Sequence, residues 1–225
     1  MPARAVVIGL DGAAWHLLEP MLEQDVMPRL EALVDKGATG TIRSTIPTYT
    51  PPAWTSAVTG VNPGRHGIFG FYEGNSQHER RELMHSGKIK SPTLWEMVNA
   101  QGRRAGIYNL PLTYPPSELD GWMVSGMMTP GYGDRLHGFT SWKDGNGSKH
   151  LENYIAQWAP GYLVDVSPNW EQDWRDAALC NRVITSLRQR HHVLENLVEL
   201  DPPDVLFCVS YTSVHRDANP SLTAA

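Results

Sequence analysis

The chain alternates short runs of apolar residues with longer stretches in which apolar residues recur every three or four positions. Residues 5–10 (AVVIGL) are rich in β-branched residues and predict a strand buried on both faces of a parallel sheet. Residues 104–110 predict a further strand, and 204–212 predict another buried strand. Residues 39–46 (TGTIRSTI) and 121–128 predict two more strands.

Helix signals lie between these strands. Residues 27–37 combine Pro28 at a first helical position with a terminal Gly37, and residues 52–60 predict a short helix that ends at Gly60. Residues 91–102 have Ser91 as a cap, and 171–200 form a long amphipathic helix. Strands alternating with helices predict an α/β domain with a mostly parallel sheet. Residues 129–170 break this alternation and are interpreted as a cap over the sheet edge, where the aromatic residues either line a substrate site or pack.

Composition narrows the function classes. The 225 residues have a formal net charge of -5 and contain no basic run, so we expect no nucleic-acid partner. The apolar run at the N-terminus meets Asp11 too early for a signal peptide or a membrane span, which predicts a cytoplasmic protein without membrane contact. Cys180 and Cys208 lie far apart and predict two buried free thiols.

Asp11 is the first candidate for chemistry. It follows the first predicted strand directly, and open α/β sheets bind ligands at the carboxyl ends of their strands. Gly9 and Gly12 leave room for close backbone approach. Asp11 either contributes to such a site or caps the following turn.

Thr50 is the second candidate. Pro51 and Pro52 fit the start of a helix, so Thr50 is predicted to be its N-cap. Helix N-termini attract phosphate, and a hydroxyl held there can attack phosphorus if a metal lowers its pKa. A simple capping role is the alternative. Asp11 and Thr50 alone are too few to hold a divalent metal.

The segments VVIGLDGAAW and MPRLEALVDKGATGTIRSTIPTYTPPAWTSAVTGVNPGRHGIFGF resemble the N-terminal part of the type I phosphodiesterase/nucleotide pyrophosphatase family, within the alkaline phosphatase superfamily. The resemblance implies a three-layer, alkaline-phosphatase-like α/β fold that is incomplete at the C-terminus. It divides the chain into the N-terminal part of a catalytic core (1–128), a cap or insertion (129–170), and a helix plus core strand (171–225).

The resemblance also implies roles for residues. Asp11 matches a metal ligand, and Thr50 matches the nucleophile that contacts the same metal and becomes phosphorylated. The helix N-terminus at Pro52 and Ala53 would face the phosphoryl group, although Ala53 replaces an asparagine found in many nucleotide pyrophosphatases. His66 matches a recurrent family histidine, which we interpret as structural. Two divalent ions, zinc or alternatively manganese, would be the cofactors.

The C-terminal segment departs from the family pattern. One alignment frame places His215 and Asn219 where the family has an Asp and a His, and another places Tyr211 and His215 there. His215 and Asp217 are the remaining candidates for metal binding. The adjacent His191 and His192 lie in the long predicted helix, where a solvated face is the simpler interpretation.

Two functions follow from different classes. One is metal-dependent hydrolysis of small-molecule phosphate esters through a phosphothreonine. The other is a catalytically silent or incomplete protein that keeps the phosphate-binding fold without a full metal site. Sulfate-ester hydrolysis or phosphonate cleavage is a weaker third option. The predicted strands leave one sheet edge uncovered, which predicts poor solubility or self-association.

Overall fold

A computed structural model describes residues 5–73, 82–130, 136–143, 147–166 and 177–210. Five strands form one sheet in the order β1-β5-β2-β3-β4. Their bounds are β1 (Ala5–Leu10), β2 (Ala105–Leu110), β3 (Gly121–Ser125), β4 (Thr140–Trp142) and β5 (Val205–Ser210). The pairs β1–β5, β5–β2 and β2–β3 are parallel, and only β3–β4 is antiparallel. The predicted α/β class with a mostly parallel sheet is confirmed.

Helices cover the sheet on both faces. Their bounds are α1 (Trp15–Leu22), α2 (Pro28–Lys36), α3 (Thr50–Thr59), α4 (Pro63–His66), α5 (Leu94–Ala100), α6 (Ser148–Trp158) and α7 (Ala177–Leu200). On one face, Trp122 and Val124 of β3 belong to a core cluster with residues of α6 and α7. On the other face, Ile107 and Met123 belong to a second cluster with residues of α3 and α5. The sheet is therefore the middle of three layers.

The inner strands are fully buried, whereas β1 is not. Every residue of β2 and β3 is buried. In β1 only Gly9 is buried, and Ile8 is 63% exposed. Because β1 lies at the end of the strand order, helices that cover the middle of the sheet leave its apolar side chains uncovered.

Residues 39–46 do not form the predicted strand. Within the described residues they have no regular secondary structure, and Ile42 and Ile46 are 93% and 85% exposed. A strand requires a neighbour to pair with, and no described strand lies beside this segment. The β-branched pattern alone is therefore not enough to make residues 39–46 a strand.

Two further predictions are corrected. The helix predicted over 91–102 begins at Leu94 and is capped by Thr93 rather than by Ser91, because Thr93 and Glu96 form a capping box. The Glu96 carboxylate accepts hydrogen bonds from the Thr93 amide at 2.6 Å and from its hydroxyl at 2.7 Å. Cys180 is exposed on α7 instead of buried, and Cys208 is half-buried in β5.

The described part of 129–170 packs onto the sheet. β4 extends the sheet beyond β3, and Leu151 and Ile155 of α6 are buried in the core cluster beneath α7. Tyr154 stacks on Trp158 at a ring distance of 5.4 Å and meets Trp142 edge-on at 6.0 Å. These aromatic residues contribute to packing, which was one of the two alternatives. A separate cap domain over 129–170 stays a prediction.

None of the described helices is both long enough and apolar enough to cross a lipid bilayer.

Candidate active site

Thr50 is the first residue of α3 and is 7% exposed. The N-cap is Tyr49, not Thr50 as predicted, because the Tyr49 carbonyl accepts the first helical hydrogen bond from the Ala53 amide at 3.1 Å. Thr50 has helical backbone geometry, and the helix has no side-chain cap at this end. Thr50 is therefore the first helical residue rather than the N-cap, and it lies at the positive end of the helix dipole.

The two prolines change how this helix start could bind an anion. Pro51 and Pro52 have no N–H group, and the Ala53 amide donates to Tyr49. An anion at this first turn would therefore be bound by Thr50 itself and stabilised by the helix dipole. The predicted part of Pro52 and Ala53 in phosphate binding stays a prediction, and it depends on the dipole rather than on a cluster of amides.

Helix α3 docks onto β1 through Trp54 and Gly9. A Cβ atom at Gly9 would lie 2.3 Å from the Trp54 ring, so only glycine allows this approach. Trp54 lies one turn after Thr50, and Gly9 lies two residues before Asp11. The structure thus brings the helix that carries Thr50 against the strand that Asp11 directly follows.

Asp11 lies half-buried in the turn that follows β1, where Gly12 has a φ of 73°. This is the carboxyl end of a parallel strand, the position predicted for a ligand-binding carboxylate. The left-handed backbone at Gly12 lets the chain turn immediately after the carboxylate.

His66 fixes the second half of α3. It is fully buried, its Nδ1 accepts a hydrogen bond from the Ile68 amide at 3.1 Å, and its Nε2 lies 2.9 Å from Ser56 Oγ. Since Nδ1 accepts a hydrogen bond from the Ile68 amide, Nε2 carries the proton of the neutral ring, and this one N–H serves both Ser56 Oγ and the Pro52 carbonyl. Ser56 and His66 are therefore not a nucleophile and its base. This geometry supports the structural role predicted for His66.

Burial lowers the pKa of His66, and a hydrogen bond with the Pro52 carbonyl partly offsets that effect. The imidazole is thus favoured in its neutral form in the folded protein. Its partners, Ser56 and Pro52, both belong to α3. A neutral His66 consequently helps to hold the helix that carries Thr50.

Asn109 is a residue of this sheet edge that sequence reasoning missed. It lies at the carboxyl end of β2, is fully buried, and has a φ of 59° at an irregularity in the β2–β3 register. Its Nδ2 donates to the Val209 carbonyl at 3.1 Å, while its Oδ1 accepts no hydrogen bond from the described residues. A sequence signal existed, because an asparagine near the end of a strand is a common left-handed residue. Here the side chain ties β2 to β5 where their main-chain pairing has ended.

The remaining histidines and the aspartate singled out in the sequence lie away from Thr50 or outside the described residues. His191 and His192 are exposed on α7, and His191 lies 3.1 Å from Glu195, which agrees with a solvated face. His215 and Asp217 lie outside the described residues.

The described residues do not complete a metal site. Within them, no group of three or more His, Cys, Asp or Glu side chains is placed to hold a metal ion. A structural zinc site needs about four ligands, and Asp11 and Thr50 supply two of the predicted set. The described residues therefore supply only part of the two-metal centre that the resemblance implied.

A cleft of about 630 Å³ lies beside the other end of α3. Its lining includes Arg43, Ser56, Gly60 and Asn62. Because Gly60 caps the C-terminal end of α3, this cleft is distinct from the Thr50 end of the helix.

Comparison with known proteins places this chain in a family. A family model described as Type I phosphodiesterase / nucleotide pyrophosphatase matches residues 5–213. The match spans most of the chain, so the chain belongs to this family.

Solved structures show the same fold. Crystal structures of phosphonoacetate hydrolase from Sinorhizobium meliloti 1021, in complex with phosphonoacetate and with phosphonoformate, are each 22% identical to this chain, with TM-scores of 0.54. Each match covers 93% of this chain and 46% of the phosphonoacetate hydrolase chain. The chain therefore spans less than half the length of these structures, which are of the alkaline-phosphatase-like fold.

Proposed function

We propose that this phosphodiesterase-family chain carries the nucleophile of a phosphate-ester hydrolase, and that Thr50 is the nucleophile. One observation carries the proposal. Thr50 is a buried residue at the first position of α3, and this helix docks through Trp54 onto β1, which Asp11 directly follows. A hydroxyl in that place lies where the helix dipole favours an anion.

The proposed reaction has two steps. Thr50 Oγ attacks phosphorus and forms a P–O bond, while the ester P–O bond breaks and the alcohol leaves with the proton that the Thr50 hydroxyl lost. Water then attacks the phosphothreonine, the bond between phosphorus and Thr50 Oγ breaks, one proton of the water returns to Thr50 Oγ, and the phosphate product leaves. The dipole of α3 stabilises negative charge on the phosphoryl oxygens.

Metal dependence is part of the proposal. Divalent ions, when bound, would neutralise phosphoryl charge and lower the pKa of the attacking hydroxyl. Asp11 is the described carboxylate that we assign to them, with Thr50 as the second assigned ligand. His215 is the remaining assignment, and zinc or manganese is the proposed ion.

The substrate is proposed to be a small phosphate ester. The fold neighbours are phosphonoacetate hydrolases in complex with small phosphonates, so a phosphonate belongs in the same substrate panel. We expect hydrolysis of bis-p-nitrophenyl phosphate in the presence of zinc or manganese. Phosphonoacetate tests the phosphonate alternative.

The deciding comparison is between two threonines. Thr50→Ala removes the nucleophile and is expected to lower turnover by at least about 100-fold, whereas Thr50→Ser keeps a hydroxyl and retains measurable turnover. Thr48→Ala is the matched control, since Thr48 is exposed two residues earlier and should leave turnover unchanged. Equal activity in Thr50→Ala and wild type would contradict the assignment.

A second candidate is a silent phosphate-binding protein. The incomplete metal set within the described residues favours it. This function predicts that folded protein binds inorganic phosphate in calorimetry without hydrolysing any ester. Turnover that depends on Thr50 would exclude it.

A further inference from the structure

Asn109 lies where the regular pairing between β2 and β5 ends. The last main-chain pair of these two strands joins Tyr108 to Cys208. At Asn109 the backbone becomes left-handed, and its Nδ2 donates to the Val209 carbonyl at 3.1 Å. A side-chain hydrogen bond therefore continues the connection between β2 and β5 for one residue beyond the main-chain pairing.

The end of β3 holds the main chain of Asn109 in this conformation. A Cβ atom at Gly126 would lie 2.3 Å from the Asn109 carbonyl oxygen, so only glycine allows the end of β3 to come this close. The Gly126 amide also donates to the Leu110 carbonyl at 3.2 Å. The main chain after Asn109 thus stays with β3 while the side chain of Asn109 reaches β5.

Val209 is the residue at which β5, β1 and α3 meet. It pairs with Gly9 in the β1–β5 register, and its Cγ2 would lie 3.2 Å from a Cβ atom at Gly9. The Trp54 ring approaches the same point and packs against the core cluster that includes Val209. Gly9 lies two residues before Asp11, and Trp54 lies four residues after Thr50. The hydrogen bond that holds Val209 therefore acts on both elements that carry the candidate residues.

Asn109 is not the residue that stability alone would favour here. A non-glycine residue at positive φ carries backbone strain, and the buried Asn109 Oδ1 accepts no hydrogen bond from the described residues. Glycine would adopt the same backbone without burying an acceptor. Local costs of this kind cluster at functional sites, and the carboxyl ends of parallel strands are where α/β sheets bind ligands.

We propose that Asn109 is a positioning residue for the reaction at Thr50. Through Val209 it fixes how β1 and α3 lie against each other, and so sets the spacing of Asp11 and Thr50. The inference rests on the proposed function, in which Thr50 attacks phosphorus and Asp11 binds the metal ion. A misplacement of 1 Å between reacting groups can lower a rate by about 100-fold. Loss of the Asn109 amide should therefore lower kcat and leave substrate binding almost unchanged.

Glycine at position 109 tests the role of the side chain. Asn109→Gly keeps the left-handed backbone and removes the amide that holds Val209. With bis-p-nitrophenyl phosphate and zinc or manganese, it should lower kcat at least about tenfold and change KM by less than about threefold. A kcat equal to that of wild type, or a change confined to KM, overturns the proposal.

Asn99→Ala is the matched control, because Asn99 makes the same kind of contact at the opposite end of the sheet. Its Nδ2 donates to the Arg103 and Asp120 carbonyls at 2.8 and 2.9 Å, and its Oδ1 accepts from the Asp120 amide at 2.8 Å. Asn99→Ala should lower the melting temperature at least as much as Asn109→Gly and leave kcat unchanged. Equal losses of kcat in the two variants would make Asn109 a stabilising residue only and overturn the proposal.

A second variant at the same position keeps the shape of the side chain. Asn109→Asp tolerates a positive φ, but its carboxylate has no N–H to donate to Val209. Protein that is folded by circular dichroism should show the same loss of kcat as Asn109→Gly. If neither variant folds, Asn109 is required for the fold itself, and the positioning role is overturned.

Hydrogen exchange measured by mass spectrometry tests the inference without relying on turnover. Absence of turnover in folded wild-type protein would contradict the proposed function, and exchange would still test how Asn109 acts on β1 and α3. Asn109→Gly should increase deuterium uptake in residues 5–11 and 50–59 relative to wild type, whereas Asn99→Ala should not. Unchanged uptake in these two segments overturns the inference even if the enzyme is active.

Discussion

Strands β1 and β2 have similar apolar sequences and opposite environments. β1 reads AVVIGL and β2 reads AGIYNL, yet β2 is buried throughout while β1 is exposed at every residue except Gly9. The difference comes from position, because β2 lies between β5 and β3 and has helices on both faces. Apolar sequence therefore predicts that a strand forms, but the number of neighbours decides whether the strand is buried.

The candidate active site lies where these two environments meet. Trp54 of α3 would contact a Cβ at Gly9 in β1, and it packs against the core cluster that includes Val209 and Phe207 of β5. The helix that carries Thr50 is thus attached to the well-packed part of the sheet as well as to the exposed strand. Helix α3 is therefore held by the well-packed part of the sheet even though β1 itself is largely exposed.

The largest expected effect is a difference in the loss of stability when isoleucine is replaced by alanine in each of the two strands. Ile107→Ala in β2 removes a side chain that is 1% exposed and should lower the free energy of unfolding by about 2–5 kcal/mol. Ile8→Ala in β1 removes one that is 63% exposed and should cost less than about 1 kcal/mol. Urea unfolding at low protein concentration, where association does not contribute, measures both. Similar losses in the two variants would contradict the comparison.

A smaller effect tests the contact that joins the two regions. Gly9→Ala places a methyl group 2.3 Å from the Trp54 ring and should destabilise the protein by about 1–3 kcal/mol, because the helix must shift. Gly40→Ala is the control, since no atom lies within 4 Å of a Cβ there. Thermal unfolding should separate the two variants. If Gly9→Ala were as stable as Gly40→Ala, α3 would not depend on this contact.

The smallest effect is a pH dependence from His66. Its folded-state pKa lies below the usual value, so the unfolded chain binds the proton more tightly. The stability associated with neutral His66 is present above the unfolded pKa of about 6.5 and is lost as pH falls toward the folded value. His66→Gln should flatten the stability profile between about pH 7 and 5 relative to wild type. If the stability of the two proteins depended on pH in the same way, His66 would not be the source of the pH dependence.

Much of the fold follows from the sequence, and the exceptions have physical causes. The apolar runs identified β1, β2, β3 and β5, because each finds a paired neighbour. Residues 39–46 have the same strand-forming pattern but no neighbour, and β4 was missed because three residues are too few for a pattern. In both cases the formation of a strand depends on pairing with a segment that is distant in the chain. The local sequence carries no information about such pairing.

The candidate site was predictable only in part. Thr50 and Asp11 could be selected from the sequence because prolines and glycines mark the helix start and the strand end. The N-cap residue of α3 could not be predicted, because the sequence does not show whether Tyr49 or Thr50 is the first to adopt helical geometry. Asn109 was missed because its significance comes from burial and from a hydrogen bond to Val209, 100 residues away in the chain.

The central claim is that Thr50 accepts the phosphoryl group, and trapping the covalent intermediate tests it most directly. Protein incubated with bis-p-nitrophenyl phosphate and zinc or manganese is quenched in acid, digested, and analysed by mass spectrometry. We predict a phosphoryl ester group on Thr50, present in Thr48→Ala protein and absent from Thr50→Ala. A label on another residue, or turnover by Thr50→Ala at the wild-type rate, would contradict the account.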